Sequence, residues 1–353
     1  MSAAFHTLRV AAIDELTDDA VALTFDVPPD LADDFAFTPG QHLNIRGGDD
    51  VRRSYSICTA PSSGLLRIGV KRLPGGAFSE GVLGSLRVGD SLDVMTPAGR
   101  FTTEIDPAAA RRCVVVAAGS GITPVLSIVT AILEGEPSSS VTLIYANRTH
   151  RTVMFLDEVH DLKDRFPARL QIVHVLSREA SDVELLSGRL DGARLSRIVS
   201  ALVPAPAEAD WFLCGPQQML VDLRAAVSLL GVADSRVHSE LFHADPVPRA
   251  PVASLASSVD GAAHVTIRLD GRSSSFELRP DAEAVLDAAM AVRSDLPFAC
   301  KGGVCGTCRA RLVSGTVAMD ANWALEPDEI ERGYVLTCQA HPTSEQVVLD
   351  YDG

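Results

Sequence analysis

Hydrophobic and polar positions along this chain follow three patterns in succession. From Phe5 to about Asp106, short runs of apolar and β-branched residues are broken by turn residues. Val21–Val27, Arg52–Cys58 and Leu65–Arg72 read as strands, and Pro39-Gly40 and Gly47-Gly48-Asp49-Asp50 as turns. Strands this short and this closely spaced predict a small antiparallel barrel. From Arg111 the period changes. Val114–Ala118 is apolar throughout, as a fully buried strand is, and Pro124–Glu134 has helical spacing, with Thr123 expected as cap and Pro124 in the first turn. Strands at Val141–Tyr145, Leu170–Val175, Trp211–Cys214 and Val237–Phe242 alternate with helices at Phe155–Lys163 and Gln217–Leu230. That alternation predicts a doubly wound α/β sheet. Residues 244–262 hold three prolines and no periodicity, and read as a linker. Beyond it, strands Val265–Leu269 and Ser275–Leu278 flank a turn at Asp270-Gly271, and a helix over Ala284–Ala291 follows. The expected division is 1–106, 107–243, a linker at 244–262, and 263–353.

Length and charge narrow the picture. A chain of 353 residues has room for two or three separate cores. Its net charge of −15 argues against nucleic acid and anionic membrane surfaces as partners. The uncharged run Cys113–Leu133 is long enough to cross a bilayer, but Gly119-Ser-Gly-Ile-Thr-Pro124 divides it into strand, loop and helix. Residues Met1–Arg9 lack the basic start and apolar run of a signal peptide. Of the seven cysteines, Cys58, Cys113 and Cys214 lie far apart, which fits a reducing compartment better than a disulfide framework. A soluble, cytoplasmic protein is the expectation.

The other four cysteines carry the sharpest chemical signal. Cys300, Cys305 and Cys308 are spaced C-x4-C-x2-C, and Cys338 follows after 29 residues. This is the spacing of plant-type [2Fe–2S] clusters, in which four thiolates converge on two sulfide-bridged irons. Gly302, Gly303 and Gly306 let the loop curl and turn its N–H groups inward. A structural zinc site is the alternative, but it pairs its cysteines as two C-x2-4-C knuckles, and only one such pair is present.

Two further segments have the chemistry of nucleotide sites. In the first domain, Arg53-Ser54-Tyr55-Ser56 is followed after the next strand by Gly75-Gly76-Ala-Phe78-Ser79. A flavin needs an aromatic surface, a donor near the reactive ring nitrogen, and cationic or N–H partners for its phosphate. Arg53 and Tyr55 share a strand face, and Gly75 and Gly76 permit close backbone approach before a short helix. Half-buried sheet with no ligand is the competing explanation. In the second domain, the loop Gly119-Ser-Gly121-Ile-Thr123-Pro124 departs from G-x-G-x-x-G at its last position but still offers glycines and a helix N-terminus to a pyrophosphate. Asn147-Arg148-Thr149-His150-Arg151, at the end of the next strand, has two arginines where an acidic residue would hold the ribose of NADH. That favours the 2′-phosphate of NADPH, unless both arginines are simply solvated. Cys214 before Gly215-Pro216 fits either a site residue or a small buried side chain.

In this order, Arg53–Ser56, Gly75–Ser79, Gly119–Pro124, Cys214–Pro216 and Glu240-Leu-Phe242 resemble ferredoxin–NADP reductase-like flavoproteins. With the C-terminal cysteine motif, the whole chain resembles the reductase components of multicomponent oxygenases. Three folds are implied: a flavin-binding β-barrel, a nucleotide-binding α/β domain and a β-grasp ferredoxin domain. So are roles for single residues. Arg53 would bind the FAD pyrophosphate, Tyr55 would lie against the ring, and Ser56 would approach flavin N5. Ser54, Val70, Lys71, Phe78, Ser79 and the Gly75–Gly76 backbone would complete the FAD site. Gly119, Gly121, Thr123, Pro124, Gly215 and Pro216 would contact the nicotinamide nucleotide, with Arg148 and Arg151 at its far end. Cys214 and Glu240 would lie near hydride transfer, and Phe242 near the flavin. FAD over FMN rests on this resemblance alone.

The resemblance implies a relay from NADPH through FAD to the cluster, and out to an oxygenase. Gly69–Ser79, Met319–Glu329, Gly333–Gln339 and Asp350-Tyr-Asp narrow it to reductases serving a di-iron epoxidase of phenylacetyl-CoA. Trp323 stands where tyrosine is expected. Reductases of ketosteroid hydroxylation are similar, which keeps a Rieske-type steroid or aromatic-ring oxygenase as the alternative partner. A non-enzymatic iron–sulfur carrier or sensor is the reading from another class. Residues 263–353 hold 14 acidic and 8 basic side chains, suited to docking a basic partner or simply to solubility.

Overall fold

The barrel residues form six strands: β1 (Phe5–Thr17), β2 (Ala20–Asp26), β3 (His42–Arg46), β4 (Arg52–Ser56), β5 (Leu66–Lys71) and β6 (Ser91–Met95). They are seen in a computed structural model that describes residues 5–47, 51–82, 84–242 and 261–353. Their order in the sheet is β4-β3-β6-β1-β2-β5. The two edges meet. Ile57, just past β4, bridges Ile68 of β5, and Cys58 N donates to Arg67 O at 2.9 Å. The sheet is therefore a closed antiparallel barrel, with its edges paired to each other. Leu8, Leu23, Leu43, Ile45, Ile57 and Ile68 fill it, each fully buried. Of the turn expected at Gly47–Asp50, residues 48–50 lie outside the described residues, as does nearly all of the expected linker.

The second sheet is built from β7 (Arg112–Ala118), β8 (Ser140–Asn147), β9 (Leu170–Leu176), β10 (Asp210–Gly215) and β11 (Val237–Leu241). These five strands are parallel, in the order β11-β10-β7-β8-β9. The helices between them are α1 (Ile122–Gly135), α2 (Leu156–Arg165), α3 (Gly192–Leu202) and α4 (Gln217–Leu229). The chain runs outward from β7 to β9, then returns to β10 on the other side of β7. This is the doubly wound order, and its switch point lies between β7 and β10. The uncharged run Cys113–Leu133 is split between β7 and α1, and among the described residues no helix is long and apolar enough to cross a membrane.

Some boundaries differ from the sequence expectation for identifiable reasons. Gly119–Gly121 forms a 3-10 turn that runs straight into α1. The cap therefore falls on Gly121 and not Thr123, whose Oγ1 donates to Ser120 O at 3.0 Å from inside the helix. Phe155 does not begin α2; it precedes it with φ +56, a conformation a bulky side chain adopts only when packing imposes it. The short helix after Gly76 is a π-helical turn, Ala77–Val82.

The C-terminal domain falls in a different compact unit from the parallel sheet and most of the barrel. Strands β12 (Ala263–Leu269), β13 (Arg272–Leu278), β14 (Arg309–Ser314), β16 (Tyr334–Leu336) and β18 (Gln346–Asp350) form a mixed sheet in the order β13-β12-β18-β14-β16. Helix α5 (Val285–Val292) packs against it, starting one residue later than expected because Ala284 is the extended cap. A separate antiparallel pair, β15 (Val317–Met319) with β17 (Ala340–Pro342), and the short helix α6 (Pro327–Glu331) complete the domain.

One buried ion pair fastens the segment joining the first two sheets. Glu136 is wholly buried, and its carboxylate accepts from Arg111 Nε at 2.9 Å and Nη2 at 2.7 Å. The same Nη2 donates to Thr103 Oγ1 and Glu104 O, tying the connecting segment to the end of α1. Removing Glu136 takes both charged hydrogen bonds from Arg111, which keeps Asp210 at 3.6 Å and is partly exposed. Glu136→Ala should lower stability by about 1.5–3 kcal/mol, the scale of hydrogen bonds to a charged group, read from urea unfolding followed by circular dichroism. A loss below about 1 kcal/mol, the range of exposed pairs, would contradict the buried arrangement.

Candidate functional site

The elements converge at the switch point of the parallel sheet, where open α/β folds bind ligands beyond the carboxyl ends of their strands. Gly119–Gly121 leaves β7 there, and Gly215-Pro216 leaves β10. Tyr145 of β8, fully buried, donates its hydroxyl toward Gly119 O at 3.1 Å and Met154 O at 3.2 Å, which pins the loop from below. The two strand ends touch directly. A Cβ added to Gly121 would lie 2.6 Å from the carbonyl oxygen of Cys214 and 3.1 Å from its sulfur, so only glycine fits. Thr123 closes the ring on the barrel side: a Cβ at Gly69 of β5 would meet its methyl at 2.6 Å and the Phe155 ring at 3.0 Å. That contact explains the strained Phe155. Its buried ring is held between helix α1 and barrel strand β5, with the Arg67 guanidinium 5.5 Å from the ring centroid.

Glu240 lies opposite Cys214 in the β10–β11 pairing, and Ser56 at the end of β4 donates to its Oε2 at 3.4 Å. So Ser56, Cys214, Glu240, Gly121 and Thr123, read separately from sequence, occupy one neighbourhood. The Cys214 thiol is fully buried; burial, reinforced by the Glu240 carboxylate, pushes its pKa well above the usual thiol value. It is a neutral surface rather than a nucleophile. Gly215 packs tightly under Met219 and Ala118, Pro216 caps α4, and Phe242 N donates to Gly215 O at 2.9 Å.

On the barrel, Arg53 is exposed on β4, as a phosphate-binding guanidinium must be, while Tyr55 is half-buried. Phe78 is buried and packs at a tilt against Tyr55, with centroids 5.2 Å apart, so it supports that ring from the core side. Val70 is buried in the barrel, and Lys71 reaches Asp19 at 3.3 Å. The Gly75 N–H donates to Glu80 Oε2 at 2.8 Å, and Ser79 Oγ accepts from Leu73 N at 3.1 Å. A carboxylate oxygen thus already occupies an N–H assigned to an anionic phosphate, the same hydrogen-bonding chemistry.

At the far end of the nucleotide loop, Arg148 and Arg151 separate. Arg151 is 83% exposed and lies 3.6 Å from Asp18, a solvated surface side chain. Arg148, also exposed, has beside it a residue that sequence reasoning missed: Arg178, just past β9, whose backbone N–H donates to Arg148 O at 2.8 Å. Parallel pairing of β8 with β9 creates this neighbourhood, so only the strand order could have revealed it.

In the C-terminal unit the four motif cysteines gather as two pairs. Gly302 N and Cys305 N both donate to Cys300 Sγ at 3.4 Å, and Gly303 and Gly306 adopt φ +73 and +68 to curl the loop. Lys301 also has positive φ, +51, and is held there by Gln339, which donates to its carbonyl at 3.0 Å. The proximity of Cys305, together with burial, pushes the Cys300 thiol up. Cys338 and burial do the same to Cys308, while that neighbour holds Cys338 down. Two thiolates this close repel unless a cation lies beside them, which is what iron supplies. Paired thiols with inward N–H groups fit a two-iron cluster. Trp323 braces the loop through its N–H to Gly303 O at 3.0 Å, while its indole nitrogen is buried with no partner among the described residues.

Fold and site together define a class: an electron-transfer reductase that joins an FAD domain, a pyridine-nucleotide domain and an iron–sulfur domain. Family models agree. Residues 7–103 match the oxidoreductase FAD-binding domain, 115–225 the oxidoreductase NAD-binding domain, and 267–343 the 2Fe-2S iron-sulfur cluster binding domain. The chain belongs to the flavin- and iron–sulfur-dependent reductase components of oxygenases. It is 42% identical over 351 residues to a subunit of the 1,2-phenylacetyl-CoA epoxidase of Escherichia coli (strain K12), spanning 99% of this chain and 98% of that protein. It is 33% identical to the 3-ketosteroid-9-alpha-monooxygenase ferredoxin reductase component of Rhodococcus rhodochrous, over 98% of this chain and 96% of that one. The structure of phthalate dioxygenase reductase superposes with a TM-score of 0.61 at 22% identity, covering 98% of both chains, which supports the fold.

The contact between Gly121 and Cys214 generates a prediction. Gly121→Ala should raise the KM for the pyridine nucleotide about tenfold or more, because the loop must move off β10, while FAD content stays near one per chain. Steady-state kinetics with flavin quantitation checks this; an unchanged KM would mean the loop does not bind the coenzyme.

Proposed function

We propose that this chain takes electrons from NADPH and delivers them to a di-iron oxygenase that epoxidises phenylacetyl-CoA. The observation that carries the partner is the 42% identity, over 99% of this chain, to a subunit of a phenylacetyl-CoA epoxidase, against 33% for the reductase of a ketosteroid system. When bound, a flavin would supply the conversion of a hydride's electron pair into single electrons, and a [2Fe–2S] cluster would supply one-electron transfer. The rest is the work of this chain's side chains. Ser56 gives its hydroxyl proton to Glu240 Oε2 at 3.4 Å, so its Oγ lone pairs would face the flavin's reactive nitrogen. Tyr55, backed by Phe78, forms a wall for the ring. Arg53, exposed on β4, would neutralise pyrophosphate charge, and Ser79, whose Oγ accepts from Leu73 N and keeps its own proton, would donate to the flavin phosphate. Gly119, Gly121 and Thr123 seat the coenzyme at the start of α1, and uncharged Cys214 shapes the nicotinamide pocket without competing as a nucleophile. Cys300, Cys305, Cys308 and Cys338 hold the cluster.

Support for NADPH comes from two arginines and not from an isolated charge. Arg148 and Arg178 are joined through the backbone at 2.8 Å, at the strand ends where the coenzyme ribose lies in folds of this kind. The neighbouring acid, Glu179, is engaged by His150 N at 3.0 Å. Arg151, the other arginine of the segment after β8, contributes less because its guanidinium lies 3.6 Å from the Asp18 carboxylate.

Reconstitution with the oxygenase subunits, NADPH and phenylacetyl-CoA tests the partner. Substrate-dependent NADPH oxidation coupled to epoxide formation is expected, and turnover no higher than without the oxygenase would sink the assignment. Cys338→Ser should keep NADPH-driven flavin bleaching yet stop oxygenase turnover. For the coenzyme, Arg178→Ala and Arg148→Ala should each raise the NADPH KM roughly tenfold, the scale of a hydrogen bond to a charged group, and leave the NADH KM unchanged. Equal loss with both coenzymes would assign these arginines elsewhere.

A further inference from the structure

Thr337 and Tyr351 lie outside the cysteine motif, yet they make an unbroken hydroxyl chain to one of its members. Thr337 is fully buried and precedes Cys338. Its N–H and its Oγ1 both donate to the carbonyl of Cys308, at 3.2 and 2.9 Å. Its own carbonyl accepts from Leu286 N at 2.9 Å, at the start of α5. The remaining lone pair of Oγ1 accepts from the Tyr351 hydroxyl at 2.8 Å. Tyr351 is fixed in turn: its N–H donates to Arg268 O at 2.9 Å, just past β18, and its ring packs on the domain core. The two cysteines so joined have 29 residues between them in the chain. They come from different segments, so something must hold their separation constant.

The geometry points to Tyr351, acting through Thr337, as a positioning residue that fixes Cys308 and Cys338 against each other for the iron–sulfur cluster. This rests on the reading of Cys300, Cys305, Cys308 and Cys338 as the ligands. The direction of the chain matters. Because Tyr351 occupies the acceptor side of Thr337 Oγ1, the threonine hydroxyl proton is left directed toward Cys308 O. Removing the phenol frees that hydroxyl to turn and releases the tether that links the two ligand segments to the end of the chain. A buried hydroxyl whose partner is deleted loses a bond whose absence is enough to change the rate of ligand release several-fold.

The test uses the intact, cluster-loaded chain carrying Tyr351→Phe, Thr337→Val or Thr337→Ser. Cluster loss is followed by bleaching of the visible absorbance in excess chelator. The reduced cluster is examined by electron paramagnetic resonance, and its midpoint potential is measured. Tyr351→Phe and Thr337→Val should each lose the cluster about five- to tenfold faster and show altered g values. Thr337→Ser, which keeps the hydroxyl, should match the unaltered protein, and combining Tyr351→Phe with Thr337→Val should do no more harm than either alone. NADPH-driven flavin reduction should be unchanged in all of them. Unchanged resonance and loss rates in Tyr351→Phe would overturn the proposal, even with a lowered unfolding temperature, since that combination describes an anchor for the chain end only. Failure of the ligand reading looks different: the unaltered protein would then lack iron and the cluster spectrum.

Discussion

The direct contact of two strand ends, Gly121 on the carbonyl of Cys214, sets the geometry of the flavin and nucleotide half of this protein. A side chain at residue 121 would force the loop away from β10, since its Cβ would stand 2.6 Å from a backbone oxygen. With glycine, the loop, the α1 N-terminus and the neutral Cys214 thiol share one small volume. Thr123 then reaches the barrel, where Gly69 has no side chain to oppose it. Two absent side chains thus join two domains. Phe155 fills the gap that results, at the cost of a left-handed backbone, and the Arg67 guanidinium near its ring reaches both Asp14 of the barrel and Glu158 of α2.

A second constraint explains why the neighbourhood of Cys214 is chemically quiet. An electron-transfer reductase gains nothing from a strong nucleophile or a mobile acid beside its flavin, because each invites side reactions. Cys214 is buried and neutral, and Ser56 is buried with its hydroxyl directed at Glu240. The contrast with the C-terminal unit is physical. There, thiols crowd into pairs whose mutual proximity and burial push two of them up and hold a third down. Such crowding is unfavourable for an empty set of cysteines and favourable around iron.

Much of this was legible in the residues because it depends on local pattern. The parallel strands read as apolar runs, the barrel as short strands with turns, and the cysteine loop as a spacing that few other structures require. The NAD- and FAD-binding domains and the oxygenase-reductase family agree with that reading. What the sequence hides is created by pairing. Arg178 becomes a neighbour of Arg148 only because β9 lies beside β8. Gly69 reads as an ordinary strand glycine until Thr123 is placed against it. The cap of α1 moves to Gly121 because a 3-10 turn fuses with the helix, which periodicity cannot distinguish from a loop. Arg151, equal to Arg148 in the sequence and as exposed, is set apart from it by its pairing with Asp18 at 3.6 Å.

The same distinction bears on the iron–sulfur domain. Three of its cysteines are placed by one loop, whose curl is written in Gly303 and Gly306 and enforced at Lys301. The fourth belongs to a distant segment, and no local rule fixes its distance from the others. Thr337 supplies that rule by turning a backbone pairing with Cys308 into a three-point clamp, with α5 holding its carbonyl and Tyr351 its hydroxyl. A motif can specify which atoms bind a cluster, but the separation between its parts is set by residues the motif does not contain. In this chain those residues come from three places: the turn after β16, helix α5, and the segment just past β18. The ligand geometry is therefore a property of the folded domain, not of the loop.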